Sequence, residues 1–429
     1  LAPKELFFCL RGKQDGHDFA KEAILKGAIG LVAEKSQASK IKSQCPNTPL
    51  LLVENSLKAL GDLAQAYRKK FSIPILAITG SHGKTTTKDL TKTLLENYFK
   101  VHATYGNFNN LIGVPKTLFH LNPNHEVALI EMGMNDFGEI ARLTQITQPT
   151  AGLITRIAPA HLEKLKSIQG VALAKSELFS GLDPKATALI NLRDPWIAKM
   201  NTPAKKEYYG NQESDLWGEA QISYQKGKLG TEFKIKQNSV HLPLLGIHHL
   251  DNVLSALAIG RHLGIQPEKG LQALKDFKGS TGRMEVLELG EGRLLLNDAY
   301  NANPESMLSA LITLKSLGKN KKNLAILGSI AELGETSSQA HKNIGQEVAK
   351  LELDALISLG PEGKLIDQGA MQAGMPSKQR KSFTTVQEAL NLGTDFFKNF
   401  DYILLKGSRV NQLEKLIPKI KTNNQQLIN

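Results

Sequence analysis

The sequence predicts an α/β protein of three domains, and three observations lead there. Its 429 residues exceed what one ordinary hydrophobic core accommodates, so the chain should divide. Short apolar runs alternate with helical stretches along most of it, the pattern of layered β and α elements around parallel strands. One of those runs, Ile73-Pro-Ile-Leu-Ala-Ile78, passes directly into Thr79-Gly-Ser-His-Gly-Lys-Thr-Thr-Thr87. A buried strand that enters a glycine loop and then a helix start binds nucleotide phosphates.

Taken in order, residues 1–72 hold the apolar runs Leu6–Leu10, Ile29–Ala33 and Leu50–Val53, with a helical stretch near Phe19 to Lys26. They read as a small α/β unit. Residues 73–280 carry the phosphate loop, further strands near Val127–Ile130, Ala151–Ile157 and Ala186–Ile190, and a helix over Ile168–Leu182. A β-excursion is expected between Tyr224 and Leu245, and the turn Gly279-Ser-Thr-Gly282 closes this part. Residues 281–429 show runs at Arg293–Leu296, Leu324–Leu327, Ala355–Leu359 and Tyr402–Leu405 between helical stretches. This reads as a second, Rossmann-like unit.

Composition narrows the class. With 41% hydrophobic and 22% charged residues the chain is globular, and no apolar run approaches the roughly 20 residues needed to span a bilayer. Its net charge of +12 is spread without the interleaved aromatics of a single-strand binder, so a small polyanionic substrate is expected rather than nucleic acid. Lys415, Lys419 and Lys421 read as a solvated helix end. Cys9 and Cys45 lack metal-type spacing and read as reduced thiols of a cytoplasmic protein. The chain opens on Leu1 rather than methionine, so a few preceding residues are expected; no secretory signal is visible.

The loop chemistry follows from residue type. Gly80 and Gly83 allow a tight turn with N–H groups pointing inward, Lys84 reaches the β- and γ-phosphates, and Thr85 holds Mg²⁺. Ile78 stands where the general pattern has its first glycine, so the strand–loop–helix setting carries the assignment. Glu131 closes the run Val127–Ile130, at a strand end from which a carboxylate can reach an ion held by the loop. His161 follows a strand through Ala158-Pro-Ala and falls on a loop at the same face. Lys175 sits four residues after Val171 and three before Leu178, on the inward stripe of its helix, where snorkelling is the ordinary alternative to a chemical role.

Together, Gly80-Ser-His-Gly-Lys-Thr-Thr86, the Glu131 strand end, Ala158-Pro-Ala-His161, Ala174-Lys-Ser-Glu177, Gly246-Ile-His-His-Leu-Asp-Asn252 and Gly282-Arg283 resemble the ordered motifs of the Mur ligases. These are ATP-dependent amide-bond enzymes of peptidoglycan assembly. Tyr105-Gly-Asn-Phe-Asn-Asn-Leu-Ile-Gly-Val-Pro115, Asn297-Asp-Ala-Tyr-Asn-Ala-Asn-Pro304 and Glu332-Leu-Gly-Glu335 resemble the branch that adds a D-alanyl-D-alanine dipeptide.

The resemblance implies a site. ATP would meet Gly80, Ser81, His82, Gly83, Lys84, Thr85 and Thr86, with Asn252 at adenine and Asp298, Tyr300 and Asn301 from the last domain. Two Mg²⁺ ions would be held by Thr85, Glu131, His161 and a carbamylated Lys175, and Arg283 at the hinge would meet phosphate. Lys84, Lys175, His161 and Arg283 would be the catalytic set. Asp15 and His17 would face the uridine diphosphate of UDP-N-acetylmuramoyl-tripeptide, and Asn107, Asn109 and Asn110 its peptide. Ser408 and Arg409, in Lys406-Gly-Ser-Arg409, are expected to start a helix and take the carboxylate of D-alanyl-D-alanine. The enzyme would act as a monomer. Arg156 and Ser329 depart from the family pattern, where asparagine and aspartate are usual. A folylpolyglutamate synthetase-like ligase and a non-enzymatic nucleotide-binding scaffold stay open as other readings.

Overall fold

The computed structural model describes residues 4–225, 228–318 and 321–421. Its first sheet is parallel and three-stranded, β1 (Leu6–Phe8), β2 (Gly30–Glu34) and β3 (Leu50–Val53), paired in that order. Leu31 and Ala33 of β2 pack with Cys9, Ala20, Ala23, Ile41 and Cys45 into one small core. Burial pushes the Cys9 thiol up to about 12, so it is an inert core residue, and Cys45 is buried in the same core.

The helix Ser56–Arg68 leaves this unit and docks on the next. Arg68 donates to the carbonyls of Thr147, Phe71 and Gln148 at 2.8, 2.6 and 3.1 Å. Asp62 pairs with Arg142 at 2.5 Å, and Gly61 lets the helix approach Ile146, whose Cδ1 would lie 2.7 Å from an added Cβ.

The second sheet is six-stranded and wholly parallel: β4 (Ile75–Thr79), β5 (Val101–Ala103), β6 (Val127–Glu131), β7 (Ala151–Ile154), β8 (Thr187–Asn191) and β9 (Lys205–Tyr209), in the spatial order β5-β6-β4-β7-β8-β9. Because alternate side chains leave opposite faces, Ile75 and Ala77 of β4 join one core and Leu76 and Ile78 the other. Both faces are covered, as a parallel sheet requires. Chain order reverses at β4, and the crevice beyond its carboxyl end is where such sheets bind ligands. The excursion expected between Tyr224 and Leu245 is an antiparallel sheet of β10 (Glu219–Gln225), β11 (Lys228–Ile235) and β12 (Asn238–Leu242).

The third sheet comprises β13 (Glu285–Gly290), β14 (Arg293–Asp298), β15 (Asn323–Gly328), β16 (Ala355–Leu359), β17 (Arg380–Phe383) and β18 (Tyr402–Lys406), in the order β13-β14-β18-β15-β16-β17. Only β13 is antiparallel to its neighbour. The α/β class with two large parallel-sheet units is therefore as expected. No helix among the described residues is long and apolar enough to cross a membrane.

Candidate active site

The phosphate loop turns where its glycines demand it. Gly80 has φ +149° and Gly83 φ +80°; a Cβ on Gly80 would lie 1.9 Å from Thr155 Oγ1, and one on Gly83 2.4 Å from Asn252 Oδ1. Only glycine fits either place. The loop is also stitched to the exit of β7. Ser81 N donates to Arg156 O at 2.8 Å, Ser81 Oγ to Ala158 O at 2.8 Å, and Thr155 Oγ1 to His82 O at 2.6 Å. Gly83 caps the helix Lys84–Leu95, whose positive end faces the loop.

Around it opens a cleft lined by Ser81 through Thr86, Asn109, Glu131, Arg156, Asn252, Arg283, Asp298, Tyr300, Asn301 and Lys406 among others. The residues expected to meet ATP, Gly80 aside, thus line one space, with walls from the second and third units. Lys84 Nζ donates to Gly80 O at 2.7 Å. Desolvation lowers its pKa, opposed by Glu131 and reinforced by Arg283. Arg283 donates to Thr85 Oγ1 at 2.9 Å and stacks 4.2 Å from the Tyr300 ring centre. Asn252 is buried, bonded to Thr87 Oγ1 at 3.3 Å and His249 Nδ1 at 2.9 Å.

Glu131 and Lys175 are both buried within electrostatic reach of Lys84. Glu131, 1% exposed, pairs in register with Ile78 just before the loop. Its Oε1 accepts from Asn109 Nδ2 at 2.8 Å, while buried Oε2 has no hydrogen-bond partner. A buried, half-satisfied carboxylate beside Lys84 and Thr85 suits a cation. Lys175, also 1% exposed, makes no hydrogen bond or ion pair to the described residues. Burial and the nearby Lys84 hold its pKa well below the ordinary value, which favours the free amine that adds CO₂. His161 lies outside the cleft lining. Its Nδ1 is 2.5 Å from Glu332 Oε2, close enough for an ion pair, but makes no aligned hydrogen bond there. Among the described residues no three histidine, cysteine, aspartate or glutamate side chains cluster as metal ligands, so Thr85 and a modified Lys175 would have to complete the set.

Elsewhere the placements differ from what the motifs suggest. His17 is fully buried, donating Nδ1–H to Asp15 Oδ1 at 2.6 Å and accepting from Glu34 N at 3.1 Å. Its ring braces the loop, and of the pair only Asp15 is partly exposed. Asn107 is exposed, whereas Asn110 Oδ1 accepts from the N–H groups of Ile112 and Gly113 at 3.1 and 2.9 Å and so serves the start of the helix Gly113–Phe119. After β18 there is no α-helix start: Arg409–Asn411 is a single 3₁₀ turn, too short to present a helix dipole. Ser408 is buried, its Oγ accepting from Ala331 N at 2.9 Å, and Arg409 pairs with Glu414 at 3.0 Å. Neither lines the cleft.

Lys406 does, and sequence reasoning passed over it. It is buried, ion-paired to Asp298 Oδ2, and donates to Asn301 O at 3.2 Å. The available signal was a lysine ending the apolar run Tyr402–Leu405, where a buried cation needs a partner. Ser329 is buried and structural, its Oγ accepting from Glu362 N at 3.1 Å. Arg156 reaches carboxylates, pairing with Asp251 and Glu305 at 3.3 and 3.1 Å.

Residues 78–260 match the Mur ligase middle domain, and residues 282–409 the Mur ligase glutamate ligase domain. The UDP-N-acetylmuramoyl-tripeptide--D-alanyl-D-alanine ligase of Bacillus subtilis (strain 168) is 33% identical over 421 residues, 97% of this chain and 90% of that protein. A crystal structure of MurF from Acinetobacter baumannii superposes with a TM-score of 0.85 at 28% identity, covering 98% of this chain and 91% of that one. MurF ligase from Thermotoga maritima in complex with ADP gives 0.82 at 27% identity, with 98% and 95% covered.

Proposed function

Because the chain belongs to the Mur ligase family, we propose that it joins D-alanyl-D-alanine to UDP-N-acetylmuramoyl-tripeptide, consuming ATP and releasing ADP and phosphate. The observation that carries this reading is the single cleft in which Lys84, Thr85 and Glu131 of one unit face Asp298, Tyr300 and Lys406 of another. Similarity to the Bacillus subtilis ligase runs through the first unit as well. That supports a UDP-sugar-binding role for residues 1–72, an ATP-binding role for 73–280 and a ligase role for 281–429, and it weighs against the folylpolyglutamate and scaffold readings.

The tripeptide's terminal carboxylate attacks the γ-phosphorus of ATP; a C–O–P bond forms and the bond to ADP breaks. Lys84 and Arg283 supply positive charge to the crowded phosphates, an interaction that grows as charge moves to the leaving group. Glu131 Oε2 and the Thr85 hydroxyl would hold one Mg²⁺, and His161 with carbamylated Lys175 a second. When bound, the metal neutralises phosphate charge. Asn252, Asp298, Tyr300 and Asn301 orient the nucleotide, Asn107 the peptide, and Asn109 the Glu131 carboxylate. The amine of D-alanyl-D-alanine then attacks the acyl carbon, and phosphate leaves. With the third unit over the loop, water is kept from the acyl phosphate.

Incubation with ATP, Mg²⁺, tripeptide substrate and D-alanyl-D-alanine should give, by mass spectrometry, the UDP-linked pentapeptide. Pteroate and glutamate should give no product. Conversion of the folate pair, or of neither, would remove this assignment.

A further inference from the structure

Two carboxylates meet one guanidinium at the lip of the cleft. Arg156 Nε and Nη2 both lie 3.1 Å from Glu305 Oε1, and Nη1 lies 3.3 Å from Asp251 Oδ2. Asp251, on the helix Leu250–His262, is held from its other oxygen by Arg193 Nε at 2.5 Å. The guanidinium is therefore anchored on the second unit. Glu305 belongs to the third. It sits in the first turn of the helix Pro304–Leu317, where the helix dipole favours a carboxylate and an Asn303–Ser306 capping box fixes the backbone. The same helix start follows directly on Asp298–Asn301, the segment that walls the nucleotide cleft. Glu305 Oε2 also comes within 3.6 Å of His82 Nε2 in the phosphate loop.

We infer that Arg156 is a positioning residue: by gripping Glu305 against Asp251 it holds the Asp298–Asn301 wall over the phosphate loop. The inference rests on the ligase reading, in which that wall must close before the dipeptide reacts. A carboxylate this near the loop would otherwise repel a triphosphate, and Arg156 offsets it. All three guanidinium nitrogens face these carboxylates, so direct phosphate contact would cost the grip. Lysine cannot replace the fork, since one ammonium does not span two carboxylates in this geometry.

The test compares Arg156→Asn, Arg156→Lys, Glu305→Gln and the Arg156→Asn/Glu305→Gln double variant. Turnover, the KM of each substrate, ADP affinity and small-angle scattering with saturating ADP are measured on each full-length protein. Each single variant should lower kcat/KM for D-alanyl-D-alanine about three- to tenfold, with the double variant no worse than either single, as a coupled pair requires. ADP affinity should stay within about twofold while the radius of gyration of the ADP complex increases, because domain placement rather than a ligand contact is lost. A drop in ADP affinity that persists in the Glu305→Gln background would assign Arg156 to the phosphates and overturn the inference, as would parental turnover and scattering in every variant. If the parent makes no pentapeptide, the ligase reading fails, and scattering alone still decides whether Arg156 and Glu305 hold the units together. Glu305→Gln and Arg156→Lys keep the test open if Arg156→Asn does not fold.

Discussion

Lys175 makes the sharpest residue-scale demand, because a fully buried amine with no anionic partner must either stay neutral or be modified. Its pKa lies well below the ordinary 10.5. In the interval between that depressed value and 10.5, the unfolded chain binds a proton that the folded chain does not, so stability rises with pH across it. In CO₂-depleted, Mg²⁺-free buffer, the unfolding free energy of the parent should climb relative to Lys175→Met between pH 7 and 9, by at most about 1.4 kcal/mol per pH unit. Parallel denaturation curves for the two proteins would show that Lys175 is charged in the fold and snorkels. The inward spacing from Val171 to Leu178 revealed this lysine in the sequence. Lys406, equally buried, stayed hidden because its partner Asp298 is 108 residues away and no periodicity marks a strand-end pair.

Among the elements, the two asparagines that border the helix Gly113–Phe119 do different work although the motif presents them together. Asn110 satisfies N–H groups at the helix start, so Asn110→Ala should cost about 1 kcal/mol of stability, as loss of an N-terminal cap does. Asn109 donates to Glu131; Asn109→Ala should instead raise the Mg²⁺ concentration needed for half-maximal rate. Thermal melts and Mg²⁺ titrations separate the two, and equal destabilisation by both would contradict this division. Strands were legible where both faces are buried, as in β4, β6 and β8. β5, β9 and β17 were not, since Val101-His-Ala103, Lys205-Lys-Glu-Tyr-Tyr209 and Arg380-Lys-Ser-Phe383 are short, polar edge segments. β7 ends at Ile154 rather than Ile157 for a physical reason: Thr155 N makes the last bond to β4, donating to Thr79 O, and the Arg156 carbonyl turns to the phosphate loop, accepting from Ser81 N.

At the scale of the whole molecule, function depends on contacts between units that a linear pattern does not record. Arg283 reaches Thr85 across 198 residues, Glu332 Oε2 lies 2.5 Å from His161 Nδ1, and Glu163 N donates to Glu332 O at 3.3 Å. The motifs identified the parts; only the fold brings Asp298, Tyr300 and Lys406 opposite the phosphate loop and leaves Ser408 and Arg409 aside. In the proposed reaction a carboxylate oxygen attacks the γ-phosphorus within this shared cleft and departs later with phosphate. It is tested most directly with tripeptide substrate carrying ¹⁸O in its terminal carboxylate, by measuring label in the phosphate released during turnover with ATP and D-alanyl-D-alanine. One labelled oxygen is expected in each phosphate molecule, with release that requires both peptide substrates. Unlabelled phosphate, or phosphate released at the same rate without tripeptide, would contradict it.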